Sequence, residues 1–561
     1  MLRRGRRLPP PCRSAFIRTM SSSPMLDNYR FPVVHEGSPS RGLLAGLLHR
    51  YKAPPSVVQD IARLEAKLPQ YQEWADDAER HPPQLVQYDH WCRRVDRLVL
   101  AHGWQELKKE VAREGLIHLG YHTPSKTTGR LHQFTKLYMA SPYFAMVTCP
   151  VAMTDGAASL CRAHGLDEEF DKLTSTDPED FWLSGQWMTE RPGGSDVGNT
   201  ETVAEPTDRD GEWRVNGFKW FSSATDADIS FLLARSRIDG KLTPGSRGLS
   251  LYLARVRKED GSLNGIAMHR LKDKFGTKSL PTAELLLSDV PARLIGEPHK
   301  GVKNISPILN ITRLHAAMGV SSYVHLCLNL AKSYASQRVA FGKLLKDHVL
   351  HADTLARVET THRGCTLLVF HLVNLLGKGE DGDAQAQKLY RFLTPLAKMY
   401  VCKTGIQDIL ECMEAMGGQG YMEETRMGKL LRDGLANCIW EGATNVMALD
   451  LLRVMDPVFF RDAITTILDS ARGDSALTES VATVERVLAQ FATTLQAIQP
   501  TSMEGHARTI GFTMSELYIA ALAIEHAVLI KGNEDHEDAM RAALDWAKRL
   551  ELRALEIQAR L

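Results

Sequence analysis

Trp187-Met188-Thr189-Glu190-Arg191-Pro192-Gly193-Gly194-Ser195-Asp196-Val197 is the stretch on which the reading of this chain turns. Two adjacent glycines in a polar loop let backbone N–H groups approach an anion or a heterocycle, with the Thr189 and Ser195 hydroxyls beside them. The same residues would equally make a tight turn leading into a β domain, and the loop alone leaves both readings open. It is neither a GxGxxG nor a Walker pattern, so the nucleotide folds those motifs mark are not indicated.

Texture changes on either side of this loop. After residue 181, segments 212–221, 229–236, 249–256 and 283–287 are short and rich in β-branched, aromatic or Leu residues. Asp210-Gly211, Asn216-Gly217 and Asp239-Gly240 supply turn signals among them, which predicts an antiparallel β domain over 181–300. Before it, residues 41–180 show helical spacing, as in 57–68, 84–98 and 104–114. After it, helical periodicity returns over 305–331, 350–376 and 385–413, giving a helical domain over 301–456. Past the Asp456-Pro457 break a further helical block occupies 457–561, and residues 1–40 form a lead-in rich in Pro, Ser and Arg. Helices, then a β domain, then helices make an α+β, mainly α, arrangement and not an alternating doubly wound sheet.

Three further segments carry candidate chemistry. Asn216-Gly217-Phe218-Lys219-Trp220-Phe221-Ser222-Ser223 would give a flat ring an apolar wall and a polar rim, or simply form a hairpin core. Arg338-Val339-Ala340-Phe341-Gly342-Lys343, placed at the end of a long helix, offers a cation for a phosphate, or an arginine favoured there by the helix dipole. Met416-Gly417-Gly418-Gln419-Gly420-Tyr421 ends a helix and lets something approach its backbone. Some twenty residues later, Ile439-Trp440-Glu441-Gly442-Ala443-Thr444-Asn445 sets a carboxylate in apolar company. If buried there it would be a stronger base than in water; Thr444 or Asn445 could also cap a helix.

Bulk properties narrow the alternatives. The 561 residues are 44% hydrophobic and 24% charged with a net charge of +1, so no global field points to nucleic acid or an anionic membrane. No uninterrupted apolar stretch reaches bilayer length. Nine cysteines form neither a CxxC pair nor a zinc-like cluster, which fits reduced thiols and no metal site. Cys438, near Glu441, reads as a small buried hydrophobe. The first 24 residues carry six arginines and no acid, as mitochondrial transit segments do, although Pro9-Pro10-Pro11 breaks an amphipathic helix. The ending Ala559-Arg560-Leu561 is a variant of the peroxisomal tripeptide, and a peroxisome is the expected compartment, with the mitochondrion as alternative.

In their order and context, the four segments resemble the signatures of the acyl-CoA dehydrogenase family, over roughly residues 85–456. Lys272-Asp273-Lys274-Phe275-Gly276 and Ala283-Glu284-Leu285 resemble the end of that family's β domain. The double-glycine loop, the segment around Trp440-Glu441 and the long C-terminal addition favour its AidB-like branch. The resemblance implies an N-terminal helical domain, a middle β domain, a C-terminal four-helix bundle with an extra helical extension, and FAD as cofactor. It places Met188, Thr189, Gly194, Ser195, Phe221, Ser222 and Ser223 at the cofactor. It adds Gly417, Gly418, Gly420, Ile439, Trp440 and Asn445, with Arg338 and Phe341 reaching the adenosine diphosphate half across a subunit boundary. Where many members carry glutamine, this chain has Glu414.

By the same resemblance Glu441 is the base and Arg313 lies beside it. The implied reaction is α,β-dehydrogenation of an acyl-CoA thioester, with electrons passing to a flavoprotein carrier or, in an oxidase, to oxygen. A homotetramer is implied. The branch includes a DNA-associated member, and Arg453 matches a position linked there to DNA. Residues 458–561, however, hold ten Lys/Arg against fifteen Asp/Glu, an unfavourable balance for phosphate binding, so nucleic-acid binding is expected to be weak or absent.

Overall fold

A computed structural model describes residues 36–209 and 211–560, with side chains through 554. The Arg-rich leader, Asp210 and the terminal tripeptide's side chains lie outside the described residues.

The N-terminal block comprises α1 (Leu43–Arg50), α2 (Pro55–Glu65), α3 (Leu68–Arg80), a hairpin of β1 (Gln84–Tyr88) and β2 (Arg94–Val99), α4 (His102–Arg113), α5 (His118–His122), α6 (Lys126–Ala140), α7 (Thr148–Ala163) and α8 (Asp167–Leu173). The hairpin corrects the helical reading of 84–98. Asp89 holds its turn by accepting from the Trp91 and Arg93 amides at 2.8 and 3.0 Å. The strand is then recruited by a distant partner. Gln87 and Arg94 donate to the Met268 carbonyl, while Asp96 accepts from the Met268 amide at 2.9 Å. Helical spacing in the sequence carries no trace of that docking, and tertiary pairing overrides it.

The middle domain contains β3 (Ser184–Trp187), β4 (Val203–Pro206), β5 (Glu212–Ser223), β6 (Ile229–Ile238), β7 (Lys241–Leu242), β8 (Leu249–Arg255), β9 (Ile266–Leu271) and β10 (Thr282–Ile295). Pairing runs β6–β4–β5–β10–β8 and returns from β8 to β6, closing a small barrel around Trp187, Val215, Tyr252, Met268 and Leu285. It is not wholly antiparallel: β3 and β4 both lie parallel to β6. Asp239-Gly240 makes the β6–β7 turn, but Asn216-Gly217 sits inside β5, where a Cβ on Gly217 would meet the Thr202 hydroxyl at 2.4 Å.

The outer face of β6 and β8 packs on helices through Phe231, Leu233, Leu251 and Leu253. Those helices are α9 (Gly301–Ala335), α10 (Val349–Glu380) and α11 (Ala384–Ala415), followed by α12 (Met427–Asn437) and α13 (Thr444–Val454). A short hairpin, β11 (Val339–Ala340) with β12 (Lys343–Leu344), joins α9 to α10.

Asp456 caps α14 (Pro457–Asp469), accepting from the Phe459 amide at 3.0 Å, and α15 (Thr478–Ala497), α16 (Met503–Leu529) and α17 (His536–Arg560) complete the extension. By length and composition α16 could cross a membrane, which the sequence reading did not anticipate; 72% of its apolar window is buried in the protein. The extension joins the bundle through Trp546, which donates to the Thr360 carbonyl at 3.0 Å, and through the buried Arg363–Asp535 pair.

A buried ion cluster fixes α9 against its neighbours. Asp155 on α7 accepts from Arg130 on α6 at 2.7 Å, from Tyr121 at 2.8 Å and from His315 on α9 at 2.8 Å. Arg130 also pairs with Glu380 at the end of α10. Burial alone would raise the Asp155 carboxyl, but Arg130 and His315 hold it below its usual range. Removing one member strands the others without water. Asp155→Ala should therefore cost about 3–5 kcal/mol in denaturant unfolding; a loss under about 1 kcal/mol would contradict the role given to this cluster.

Candidate functional site

Between α12 and α13 the chain turns through Trp440-Glu441-Gly442, and Glu441 takes a left-handed φ of 58°. Glu441 is thus a strained loop residue, not part of the late helical segment. Gly442 follows at φ 105°, and a Cβ there would meet the Met447 methyl at 2.4 Å. The α13 helix starts at Thr444, and neither Thr444 nor Asn445 caps it.

The turn aims the Glu441 side chain at α9. Thr312 donates to its Oε2 at 2.6 Å, Arg313 donates to its backbone carbonyl at 3.1 Å, and Lys398 on α11 donates to the carbonyl of Gly442. Asp450 on α13 locks Arg313 in place at 2.9 Å and is itself held by Arg391 at 2.8 Å. The residue is half-buried overall, yet its carboxyl is enclosed. Burial raises its pKa above the ordinary value; the Thr312 hydrogen bond, Arg313 and Lys398 pull the other way. A base that is available yet not neutralised needs this balance. Cys438 is half-buried, bonds the Cys402 carbonyl at 3.4 Å, and has its thiol pushed up by burial.

On the barrel side, the double-glycine loop is fixed by a pair that sequence reasoning missed. Glu190 and Lys219 are both buried and meet at 2.6 Å. Glu190 also accepts from the Glu201 amide at 2.6 Å and the Thr202 hydroxyl at 2.5 Å. Thr189 is tied to β5 by its carbonyl, which accepts from the Trp220 amide at 2.9 Å. Gly194 and Ser195 are exposed, and Met188 and Thr189 half-buried, so the loop presents its backbone outward. Phe221 is half-exposed and edge-on to Trp220, with the Lys272 ammonium 3.2 Å from the Trp220 ring centre. The Ser223 hydroxyl bonds Thr282 at 3.0 Å, whereas the Ser222 hydroxyl is buried and has no partner among the described residues. An orphaned buried hydroxyl ordinarily costs stability, and a polar ligand edge would satisfy it.

Other expected residues are placed less uniformly. Gly417 and Gly418 face open space, but Gly420 is packed so tightly on the Met413 carbonyl that a Cβ would stand 2.1 Å from it. Glu414 is exposed. Trp440 is half-buried and donates to Asn437 at 2.8 Å, while Ile439 is exposed. Asn445 turns outward and contacts Arg508 of the extension at 3.4 Å. Arg338 lies beyond the helix, which ends at Ala335, so the dipole does not explain it, and its guanidinium meets no carboxylate among the described residues. Phe341, in the β11–β12 turn, is 97% exposed. Thr312 and Lys398 were missed as well; Thr312 is adjacent to Arg313 in the sequence, and only the fold sets Lys398 beside Gly442.

Comparison with known proteins accounts for nearly the whole described chain. The model for the middle domain of acyl-CoA dehydrogenases matches residues 185–290 and that for their C-terminal domain residues 299–455. The N-terminal domain of adaptive response protein AidB matches 48–177, and the C-terminal domain of acyl-CoA dehydrogenase 11 matches 454–560. Acyl-CoA dehydrogenase family member 11 of Caenorhabditis elegans is 43% identical over 475 residues, 80% of this chain and 77% of its own. The putative acyl-CoA dehydrogenase AidB of Escherichia coli is 31% identical, covering 67% of this chain and 70% of its own. The crystal structure of C. elegans ACDH-11 in complex with C11-CoA superposes with a TM-score of 0.87 at 36% identity, over 95% of this chain and 98% of that one.

This chain therefore belongs to the acyl-CoA dehydrogenase family of oxidoreductases. Within that family it is of the AidB-like kind, with the AidB-type N-terminal domain and the helical C-terminal extension both present.

Thr312 stabilises the ionised form of Glu441, so its removal has a signed consequence. Thr312→Val should move the acidic limb of the activity profile to higher pH, because a higher pH is then needed to ionise Glu441. A pH–rate profile that does not move, or moves to lower pH, would contradict the coupling.

Proposed function

We propose that the protein catalyses α,β-dehydrogenation of an acyl-CoA thioester with FAD, and that Glu441 is the base that takes the α-proton. The observation carrying this reading is the enclosed Glu441 carboxyl, raised by burial and held on a strained turn by Thr312, Arg313 and Lys398. Strain of about 1–3 kcal/mol persists at such a residue only where surrounding contacts enforce it, and it marks functional positions.

The residues present suit FAD. Thr189, Ser195, Ser222 and Ser223 would hold its ring and pyrophosphate, and the orphaned Ser222 hydroxyl is the group left needing a partner. Arg338, exposed and meeting no carboxylate among the described residues, and Phe341, 97% exposed, project from their own subunit. With Val349 83% and Leu350 77% exposed nearby, they fit a surface covered by a second copy of the chain, as in a homotetramer. When bound, FAD supplies the acceptor for the hydride equivalent leaving the β-carbon. The protein's part is to remove the α-proton to a Glu441 oxygen, keep water from it, and polarise the thioester carbonyl with backbone N–H near the turn.

The bound acyl-CoA in the C. elegans relative's structure supports the substrate class. Reoxidation by a flavoprotein carrier is favoured over direct use of oxygen by the family's dehydrogenase members, and peroxide release on substrate addition would reverse that assignment. Duplex DNA is not the principal ligand in this reading, because the extension carries more acid than base.

Glu441→Gln should retain the flavin spectrum and lose anaerobic bleaching by acyl-CoA by roughly a hundredfold or more. Bleaching at the wild-type rate would remove Glu441 from the reaction. Arg338→Ala should purify with less flavin; full flavin content would count against the phosphate contact.

A further inference from the structure

Gly319 is a half-exposed glycine in the middle of the long helix α9, where a Cβ would have no atom within 4 Å. Mid-helix glycine costs about 1 kcal/mol relative to alanine, and the space its missing side chain leaves here is open. Its position is specific. Thr312, Gly319 and Tyr323 follow one another at i, i+7 and i+11 and so share a helix face. At one end Thr312 holds the Glu441 carboxyl, and at the other the Tyr323 hydroxyl donates to the Met146 sulfur at 3.3 Å, just before α7 begins. Cys149, in the first turn of α7, lies within electrostatic reach of both Glu441 and Tyr323, which brings the start of α7 to the same region. Its thiol is pushed up to about 12 by burial, which makes it an inert apolar wall and not a nucleophile. Around it stand Met153 and Phe181.

We propose that Gly319 opens a slot that receives the acyl tail of the substrate, and that the absence of a side chain there sets the longest chain the enzyme accepts. This rests on the acyl thioester reading above and adds its substrate class: an unbranched acyl group of medium length. From Thr312 to Gly319 is two helical turns, roughly 10 Å of path starting at the base. The Tyr323 ring closes the far end, and methylenes gain by leaving water along an apolar wall.

The test uses the flavin-loaded protein in a Glu441→Gln background, which prevents turnover, and measures binding of butanoyl-, octanoyl- and dodecanoyl-CoA by calorimetry. Gly319→Leu fills the slot, and leucine favours helix over glycine, so the fold is retained; far-UV dichroism checks it. The dodecanoyl-to-butanoyl affinity ratio should fall at least about tenfold in Gly319→Leu, with Gly319→Ala in between. A ratio unchanged within about twofold, or no chain-length dependence in the parent, overturns the slot. Failure of the wider reading looks different. Chain-length-dependent binding with no bleaching when Glu441 is intact removes the dehydrogenase and leaves the slot. Bleaching with an unaltered length profile removes the slot and leaves the dehydrogenase.

Discussion

The hydrogen bond from Thr312 to Glu441 is the contact on which the rest of the molecule converges. It joins residues 129 positions apart and holds a carboxyl out of water on a backbone conformation that a glutamate adopts only under constraint. Burial raises the carboxyl's pKa, and the Thr312 hydrogen bond and the local cations restrain the rise. Everything that fixes α9 relative to α13 supports that contact. Arg313 bridges the Glu441 carbonyl to Asp450, Lys398 secures the next carbonyl, and the Asp155 cluster locks α9 to α6 and α7 at His315, three residues from Thr312.

The closed barrel plays the complementary part. Its double-glycine loop would be loose if it depended on its own residues, since Gly194 and Ser195 are exposed. The buried Glu190–Lys219 pair prevents this by tying the loop to β5 and, through Thr202, to the start of β4. A buried pair of this kind adds little net stability against an apolar pair, but it specifies one geometry. The extension packs against α10, α11 and α13, with Asn445 drawn outward to Arg508, so the segment after Glu441 is held from the extension side.

The sequence made the long helices and most barrel strands legible, because their periodicities are local and their turns carry Gly and Pro. Its motifs singled out Glu441 and the 187–197 loop, and the family resemblance Arg313, which the fold sets against the Glu441 carbonyl. What it could not disclose depends on partners far along the chain. The 84–99 hairpin owes its strand pairing to Met268, and β3 and β4 run parallel to β6 because the barrel closes that way. Lys219 looks like any strand lysine until Glu190 is set beside it, and Lys398 like any helical lysine until Gly442 is. Gly420 depends on the fold in another way: nothing in a run of glycines shows that this one is pressed against the Met413 carbonyl of its own helix.

The most direct measurement of the central claim isolates proton removal from electron transfer. An acyl-CoA analogue with sulfur in place of the β-methylene has an acidic α-proton but no β-hydride to lose. Incubated in D2O with the flavin-loaded protein, it should exchange its α-hydrogens for deuterium with Glu441 present and not with Gln in its place. No exchange by the wild-type protein, or equal exchange by both, would contradict the assignment of that carboxylate as the base.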